Sequence, residues 1–169
     1  MRSDFPARGT RRLDTAADTR AFGEELGRAL QAGDVVILEG PLGAGKTTLT
    51  QGIAAGLGVR GRVTSPTFVI AREHRSTVGG PTLVHVDAYR LLGEGSCGDP
   101  LGELDALDLD TELLDAVVVA EWGGGLVEQI TEEYLFIHLD RETAVREDPD
   151  SEARIFTWEL RSPGLPDQV

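Results

Sequence analysis

The sequence predicts a single three-layer α/β domain, in which helices cover both faces of a mixed sheet that includes antiparallel strands. Two observations predict this class. Short apolar runs typical of buried strands alternate with helical patterns, and the last two strand-like runs are joined by a charged loop. The length of 169 residues fits one compact domain with its own hydrophobic core.

We expect the folded domain to span residues 13–161. Residues 1–12 are rich in arginine, glycine, proline and serine and are predicted to form a flexible N-terminal tail, and residues 162–169 a flexible C-terminal tail. No stretch approaches the roughly 18 uninterrupted apolar residues that a membrane span needs, and no apolar run of a secretory signal follows the first arginines. A lone cysteine, Cys97, fits a reducing compartment. We therefore expect a cytoplasmic protein without membrane contact.

The first helix is predicted over residues 14–30, where Thr and Asp residues suited to capping precede apolar residues at helical spacing. Its predicted apolar face comprises Ala17, Ala21, Phe22, Leu26 and Leu30. Residues 35–38 (VVIL) are typical of a short buried strand, which runs directly into a glycine-rich segment. The order of strand, glycine-rich loop and following helix is that of a nucleotide-binding unit.

A second helix follows the glycine-rich segment. Leu49, Ile53 and Leu57 recur at helical spacing and form its predicted apolar face. Gly58 comes directly after the last of them and is predicted to end the helix, because glycine readily adopts the left-handed conformation of a helix terminus.

The glycine-rich segment at residues 40–48 contains the complete P-loop pattern, Gly40-x4-Gly45-Lys46-Thr47. Its glycines let backbone N–H groups point at phosphate oxygens, at the positive end of a helix dipole. Lys46 is placed to bridge the β and γ phosphates, and the Thr47 hydroxyl to take one coordination position on Mg²⁺. The pattern therefore predicts a P-loop NTPase-like domain that binds ATP or GTP.

The charge distribution sharpens this interpretation. Lys46 is the only lysine among sixteen basic residues, so the chain retains the compact ammonium at the one place where a P-loop uses it. Without a second lysine, the Asn-Lys-x-Asp signature that reads guanine cannot exist. The net charge of −13 repels polyanions, which disfavours direct and extensive binding of RNA or DNA.

Two further apolar runs end in an acidic residue. Residues 83–86 lead to Asp87, and residues 117–120 lead to Glu121. Because the carboxyl ends of strands form the ligand edge of an open α/β sheet, both acids are candidates for the carboxylate that holds the metal or its waters. The pattern leaves open which of them contacts the metal directly, since water can bridge either one.

A hairpin is predicted between the second helix and Asp87. Residues 63–70 are rich in hydroxyl groups and lead into a strand, and a turn follows at residues 79–81. Ser65 and Thr67 are candidates for a switch that a γ-phosphate orders, and the alternative is a plain hydroxyl-rich turn entering a strand.

The rest of the chain is less specific. A helical stretch is predicted within residues 94–115, and two antiparallel strands at residues 135–139 and 154–160, joined by the charged loop 140–153. The two histidines in strand patterns are predicted to be core residues with satisfied hydrogen bonds, and the tryptophan after Glu121 either walls the nucleotide site or simply packs. These residues are His85, His138 and Trp122.

Four motifs together carry a resemblance to a known family. They are residues 40–48 (GPLGAGKTT), 65–68 (SPTF), 85–91 (HVDAYRL) and 121–122 (EW). In this order and spacing they resemble the bacterial TsaE family, also called YjeE, over roughly residues 13–158. The departures are a proline at position 41, where an acid is frequent, and a small insertion at positions 93–100; neither removes a catalytic group.

The resemblance implies an ATPase of the pathway that installs threonylcarbamoyl on adenosine 37 of tRNA, acting with the TsaD–TsaB complex. ATP and Mg²⁺ are the implied cofactors, ADP is the product, and tRNA is met only indirectly. By position, Thr47 and Glu121 would bind Mg²⁺, and Lys46, Asp87 and Glu121 would form the catalytic set. The implied phosphate-binding residues are Gly43, Ala44, Gly45, Lys46, Thr47 and Thr48.

Two weaker correspondences complete the resemblance. Thr15 and Ala16 fall where the family's N-terminal segment approaches the adenine, and Ser65 and Thr67 match its switch-like segment.

Two other functions remain open. One is a small-molecule P-loop kinase, whose lid arginines would be sought among Arg60, Arg62, Arg72 and Arg75. The other is an adaptor that binds ATP, changes its switch segment and docks without turnover.

Overall fold

The computed structural model describes residues 5–40, 45–60, 71–87, 113–121 and 133–161. The helices are α1 (Ala16–Ala29), α2 (Lys46–Leu57) and α3 (Glu142–Glu147), with a 3-10 turn at Leu113–Asp115. The strands are β1 (Arg8–Leu13), β2 (Val35–Glu39), β3 (Ala71–His74), β4 (Thr82–Asp87), β5 (Ala116–Glu121), β6 (Tyr134–Asp140) and β7 (Arg154–Arg161).

The strands form one mixed sheet in the order β1-β7-β6-β2-β5-β4-β3. In its centre, β2 runs parallel to β5 and β6, and β4 runs parallel to β5. The outer pairs β1/β7, β6/β7 and β3/β4 are antiparallel. This topology confirms the predicted α/β class with a mixed sheet, including the antiparallel strands near the C-terminus.

Both faces of the central strands are buried. Val36 and Leu38 of β2 belong to the same core cluster as the buried residues of α1 and α2. Residues of the opposite face are inaccessible too, since Val84 and Ala120 are both 0% exposed. Burial on both faces is what a three-layer arrangement requires, because an exposed face of a parallel sheet would carry polar residues.

The N-terminal segment corrects the prediction that the fold begins near Leu13. β1 starts at Arg8 and pairs with β7 along its whole length. Phe5 lies in the core with its ring centroid 5.9 Å from that of Trp158, whose Nε1 donates a hydrogen bond to the Pro6 carbonyl. Residues 5–12 therefore belong to the fold, because an aromatic anchor and strand pairing outweigh a composition that is typical of a tail.

α1 is confirmed, but its buried face differs from the predicted one. Thr15 caps the helix, and Phe22 and Leu26 are buried as expected, whereas Ala17 and Ala21 are exposed. Gly23 and Gly27 are buried in their place. The prediction was wrong because it counted only side chains with apolar surface, and this interface buries backbone.

The two helices meet through glycines. A Cβ atom added to Gly52 of α2 would lie 2.3 Å from the Arg20 carbonyl oxygen of α1, and one added to Gly27 would lie 2.4 Å from the Ile53 carbonyl oxygen. Only glycine allows this approach of one helix backbone to the other. The close contact fixes the amino end of α1 beside the amino end of α2.

The predictions for α2 and for the C-terminal strands are confirmed. Leu49 and Ile53 are fully buried, and Gly58 ends the helix with a φ of 72°. β6 and β7 pair as predicted, but the segment between them is not only a loop. It contains α3, whose one buried residue, Ala144, anchors this short helix.

Candidate functional site

The amino end of α2 meets the carboxyl end of β2 at the centre of the sheet. Glu39 ends the strand, and Gly45 caps the helix with a φ of 104°, a left-handed conformation that favours glycine. The first backbone N–H groups of a helix have no partner within it, and α2 has no acidic residue in its first turn. This end of α2 therefore presents uncompensated positive charge to an anion.

Lys46 supplies the main cationic group of the site. Its side chain is buried, and Nζ donates a hydrogen bond of 2.8 Å to the carbonyl oxygen of Gly40. That bond joins the two ends of the predicted loop. One helical turn after Lys46, the Thr50 hydroxyl donates a hydrogen bond of 2.8 Å to the Lys46 carbonyl oxygen. Both contacts fix the lysine at the strand-to-helix junction, where the P-loop pattern places it.

The two candidate carboxylates lie on neighbouring strands. Asp87 of β4 is the register partner of Glu121 of β5, and Glu121 is in turn the register partner of Leu38 of β2. Three parallel strands therefore end at one edge, next to the junction that carries Lys46. The expectation that both acids come to the same edge of the sheet is met at the level of the backbone.

Glu121 is an unusual residue for the interior. Its side chain is only 8% exposed, and its Oε1 atom has no hydrogen-bond partner. A buried carboxylate without a partner is costly, so this atom requires a ligand or a function. Among the described residues, no group of three or more His, Cys, Asp or Glu side chains is placed to hold a metal ion. A cation at Glu121 would therefore depend on other oxygen ligands, such as phosphates and the Thr47 hydroxyl.

His85 departs from its prediction. It is fully buried as expected, but neither ring nitrogen has a hydrogen-bond partner, so it is not a satisfied core histidine. Its Nε2 atom lies 3.4 Å from Oε1 of Glu121. His138, the second predicted core histidine, is exposed, because the alternation along β6 turns Ile137 and Leu139 inward instead.

His74 is a third strand histidine, which sequence reasoning missed. Its side chain is buried, its Nε2 atom has no hydrogen-bond partner, and burial lowers the pKa of the imidazole below its ordinary value. The alternation of β3 offers only a weak signal, because the strand is four residues long. In the register of the hairpin, His74 pairs with Leu83 and lies away from Glu121.

A cavity of about 160 Å³ opens beside the amino end of α2. Its lining residues are Ala16, Thr19, Gly45, Thr48, Glu152 and Arg154. Ala16, which the resemblance places near the adenine, is one of these lining residues, and the Thr15 side chain caps α1. Sequence reasoning missed Glu152 and Arg154, which lie in a charged segment that resembles any solvated loop. Burial lowers the pKa of Arg154 below its ordinary value.

Several predicted site residues lie outside the described part of the chain. They are Gly43, Ala44, Ser65, Thr67 and Trp122. The structure therefore brings together Ala16, Gly45, Lys46, Thr47, Thr48 and Glu121, with the backbone of Asp87 beside Glu121. None of the described helices is both long and apolar enough to cross a membrane.

Comparison with known proteins gives consistent matches. The family model described as threonylcarbamoyl adenosine biosynthesis protein TsaE matches residues 13–148. A Mycobacterium tuberculosis protein named tRNA threonylcarbamoyladenosine biosynthesis protein TsaE is 51% identical over 158 residues, which cover 93% of this chain and 90% of the relative. A Streptomyces coelicolor protein of the same name is 58% identical over 122 residues, covering 72% and 78%. The crystal structure of YdiB from Bacillus subtilis matches with a TM-score of 0.65 and 30% identity, covering 92% of this chain and 86% of that one.

Proposed function

The chain belongs to the TsaE family of threonylcarbamoyl adenosine biosynthesis proteins, and on this premise we propose that it is a Mg²⁺-dependent ATPase. It binds ATP, releases ADP and acts in the cytoplasm with the TsaD–TsaB complex to modify adenosine 37 of tRNA. The observation that carries the proposal is the buried ammonium of Lys46, which Gly40 holds at the amino end of α2. A buried ammonium beside the positive end of a helix favours the binding of a polyanion there.

The residues at this edge fit a bound Mg²⁺–ATP. Glu121 offers a carboxylate that is almost fully buried, and Thr47 lies in the first turn of α2 directly after Lys46. A carboxylate, a hydroxyl, phosphate oxygens and water form the hard-oxygen ligand set that Mg²⁺ prefers. When bound, Mg²⁺ would neutralise charge on the phosphates and polarise the terminal phosphorus–oxygen bonds.

In the proposed reaction, this chain binds and orients the substrate. Lys46 pairs with the β and γ phosphates, and the N–H groups of Gly43, Ala44, Gly45 and Thr48 surround the phosphate oxygens. Asp87, beside Glu121 in register, accepts a hydrogen bond from the attacking water and aims it at the γ-phosphate. Ser65 and Thr67 order over the γ-phosphate and report the nucleotide state.

The base of the nucleotide occupies the cavity between α1 and the segment before β7. Ala16 and Thr19 line this cavity together with Gly45 and Thr48, so it is continuous with the proposed phosphate site. The capping contact of Thr15, whose hydroxyl accepts a hydrogen bond from the Asp18 N–H, keeps the first turn of α1 in place against the base. The proposed site therefore spans base and phosphates.

In this proposal, the chain contacts the TsaD–TsaB complex through protein–protein contacts. With a net charge of −13, the chain has no long-range attraction for tRNA, so the TsaD–TsaB complex carries the nucleic acid in this proposal. ATP binding and release then govern how the chain docks on the complex.

The test is ATP hydrolysis with Mg²⁺, measured with and without the TsaD–TsaB complex. We expect the complex to stimulate the wild type. Lys46→Ala should lower ATP affinity by about 10- to 100-fold, because a charge-assisted contact to phosphate is lost. Arg146→Ala is the matched control, since it removes an exposed cation of α3.

The outcomes separate the candidate functions. Stimulated hydrolysis that Lys46→Ala loses and Arg146→Ala keeps supports the partner-coupled ATPase. Binding of ATP without any turnover, even with the complex, favours the adaptor, and ADP formation that depends on a small acceptor favours the kinase. No nucleotide binding at all contradicts the proposal.

A further inference from the structure

We infer that His85 is a positioning residue that holds the carboxylate of Glu121 through an Nε2–H donor. The inference rests on the proposed function, in which Glu121 faces Mg²⁺. Its basis is the pair of buried, unpartnered atoms that face each other at the carboxyl ends of β4 and β5. Nε2 of His85 and Oε1 of Glu121 are 3.4 Å apart, and each lacks a hydrogen-bond partner.

The sheet brings the two side chains together. His85 of β4 is the register partner of Val119 of β5. Glu121 lies two residues after Val119 on β5, so the side chains of His85 and Glu121 lie on the same face of the sheet. Charge-assisted N–H···O bonds are about 2.7–2.9 Å long, so the observed separation of 3.4 Å exceeds one by about 0.5–0.7 Å. The two atoms must approach by this amount for the bond to form.

Burial argues against a simple packing role for His85. The imidazole is 0% exposed, and the residue two positions before it on β4 and its register partner on β5, Leu83 and Val119, are apolar. An apolar side chain would fill the position without leaving two polar nitrogens unsatisfied. Oε1 of Glu121 is an acceptor 3.4 Å away that itself lacks a hydrogen-bond partner, so each atom supplies what the other lacks.

The bond has a consequence for the metal. When His85 donates to Oε1, the carboxylate keeps one orientation and its second oxygen is available to the cation or to a metal-bound water. Partners that orient a ligating side chain in this way typically change metal affinity by about 10- to 100-fold. We therefore expect His85 to act on Mg²⁺ affinity through Glu121, without touching the nucleotide.

The test compares three variants of the full chain. His85→Leu removes the donor and keeps apolar volume, and His85→Gln restores an N–H donor. His74→Leu is the matched control, because it removes another buried imidazole of the same hairpin that does not contact Glu121. The readout is the Mg²⁺ concentration dependence of binding of a fluorescent ATP analogue, with affinity in EDTA measured in parallel and the fold checked by circular dichroism.

We expect His85→Leu to raise the apparent Kd for Mg²⁺ about tenfold while affinity in EDTA is unchanged. His85→Gln should recover most of the loss, and His74→Leu should resemble the wild type. In addition, His85→Leu should have no further effect when Glu121→Gln is already present, because the carboxylate through which His85 acts on Mg²⁺ is then gone.

Three results overturn the inference: unchanged Mg²⁺ affinity in a folded His85→Leu, no recovery in His85→Gln, or an effect of His85→Leu that persists in the Glu121→Gln background. If His85→Leu does not fold, His85→Met, which also lacks an N–H donor, replaces it in the same comparison. If the wild type binds the analogue without any Mg²⁺ dependence, the proposed function itself is contradicted. If the wild type depends on Mg²⁺ and the variants do not differ from it, only the inference about His85 is contradicted.

Discussion

The interface between α1 and α2 and the carboxyl ends of β4 and β5 differ in how their buried groups affect stability. At the interface, helix backbones pack directly on each other, and a Cβ on Gly23 or Gly52 would lie within 2.6 Å or 2.3 Å of a carbonyl oxygen of the other helix. At the strand ends, both ring nitrogens of His85 and the Oε1 atom of Glu121 are buried without a hydrogen-bond partner. The first region gains from close packing, and the second carries a cost that only a ligand offsets.

The difference separates stability from function within one core. The helix interface has little tolerance for added volume and no chemistry of its own. At the strand ends, a side chain that is less costly to bury would stabilise the fold, but the site would lose its chemistry. This is expected where function is maintained at the expense of stability. Substitutions in the two regions should therefore change stability in opposite directions.

The largest effect is expected at the helix interface. Gly52→Ala places a Cβ 2.3 Å from the Arg20 carbonyl oxygen, so α1 and α2 must separate. We expect a loss of about 3 kcal/mol in the free energy of unfolding, measured by urea denaturation. Gly80→Ala is the control, because its Cβ would meet nothing closer than 3.5 Å. Equal stability of Gly52→Ala and wild type would show that the interface is not as tight as described.

A smaller effect of the opposite sign is expected at the strand ends. Glu121→Gln replaces a buried carboxylate with a neutral amide and should raise the free energy of unfolding by about 1 kcal/mol, while Mg²⁺-dependent hydrolysis is lost. Denaturation without nucleotide and hydrolysis with Mg²⁺ measure the two effects. Glu142→Gln, at an exposed position on α3, should change neither. A destabilised Glu121→Gln would mean that the carboxylate supports the fold, and the contrast between the two regions would fail.

The smallest effect concerns His74 in the hairpin of β3 and β4. Because burial lowers its pKa in the folded chain, the unfolded chain binds this proton more readily. The contribution of neutral His74 to stability is therefore fully present above the unfolded pKa of about 6.5 and is lost as pH falls through the lower folded pKa.

The prediction for His74 is checked by urea denaturation at pH 7.5 and at pH 5.5. His74→Gln should lose less stability than wild type over this interval, since glutamine does not titrate. His138→Gln is the control, because His138 is exposed. An identical loss in wild type and His74→Gln would show that His74 contributes nothing to the acid sensitivity.

The sequence predicted the parts of the site that depend on local pattern. The P-loop spacing located Lys46 at the start of α2, and apolar runs ending in Asp87 and Glu121 located the strand ends. These predictions succeed because strand, loop and helix are consecutive in the chain. Register then follows from parallel strands that all enter the same core.

Other features depend on partners distant in sequence. β1 is paired with β7 about 150 residues later, and nothing in the composition of the first twelve residues indicates that partner. Gly23 and Gly27 of α1 weaken a helix by propensity alone and become favourable only where they pack against α2, near Gly52 and Gly56. In the same way, the unsatisfied state of His85 appears only when its surroundings are known, because a buried histidine usually finds a partner.

The most direct test of the site as a whole is calorimetric titration of ATP into the wild type and into Glu121→Gln, each with Mg²⁺ and with EDTA. We predict that the wild type binds ATP more tightly with Mg²⁺ than with EDTA, and that Glu121→Gln loses this difference while keeping its affinity in EDTA. Wild-type binding that is the same in Mg²⁺ and EDTA, or a Glu121→Gln variant that retains the full Mg²⁺ effect, would contradict the assignment of the buried carboxylate to the nucleotide-bound metal.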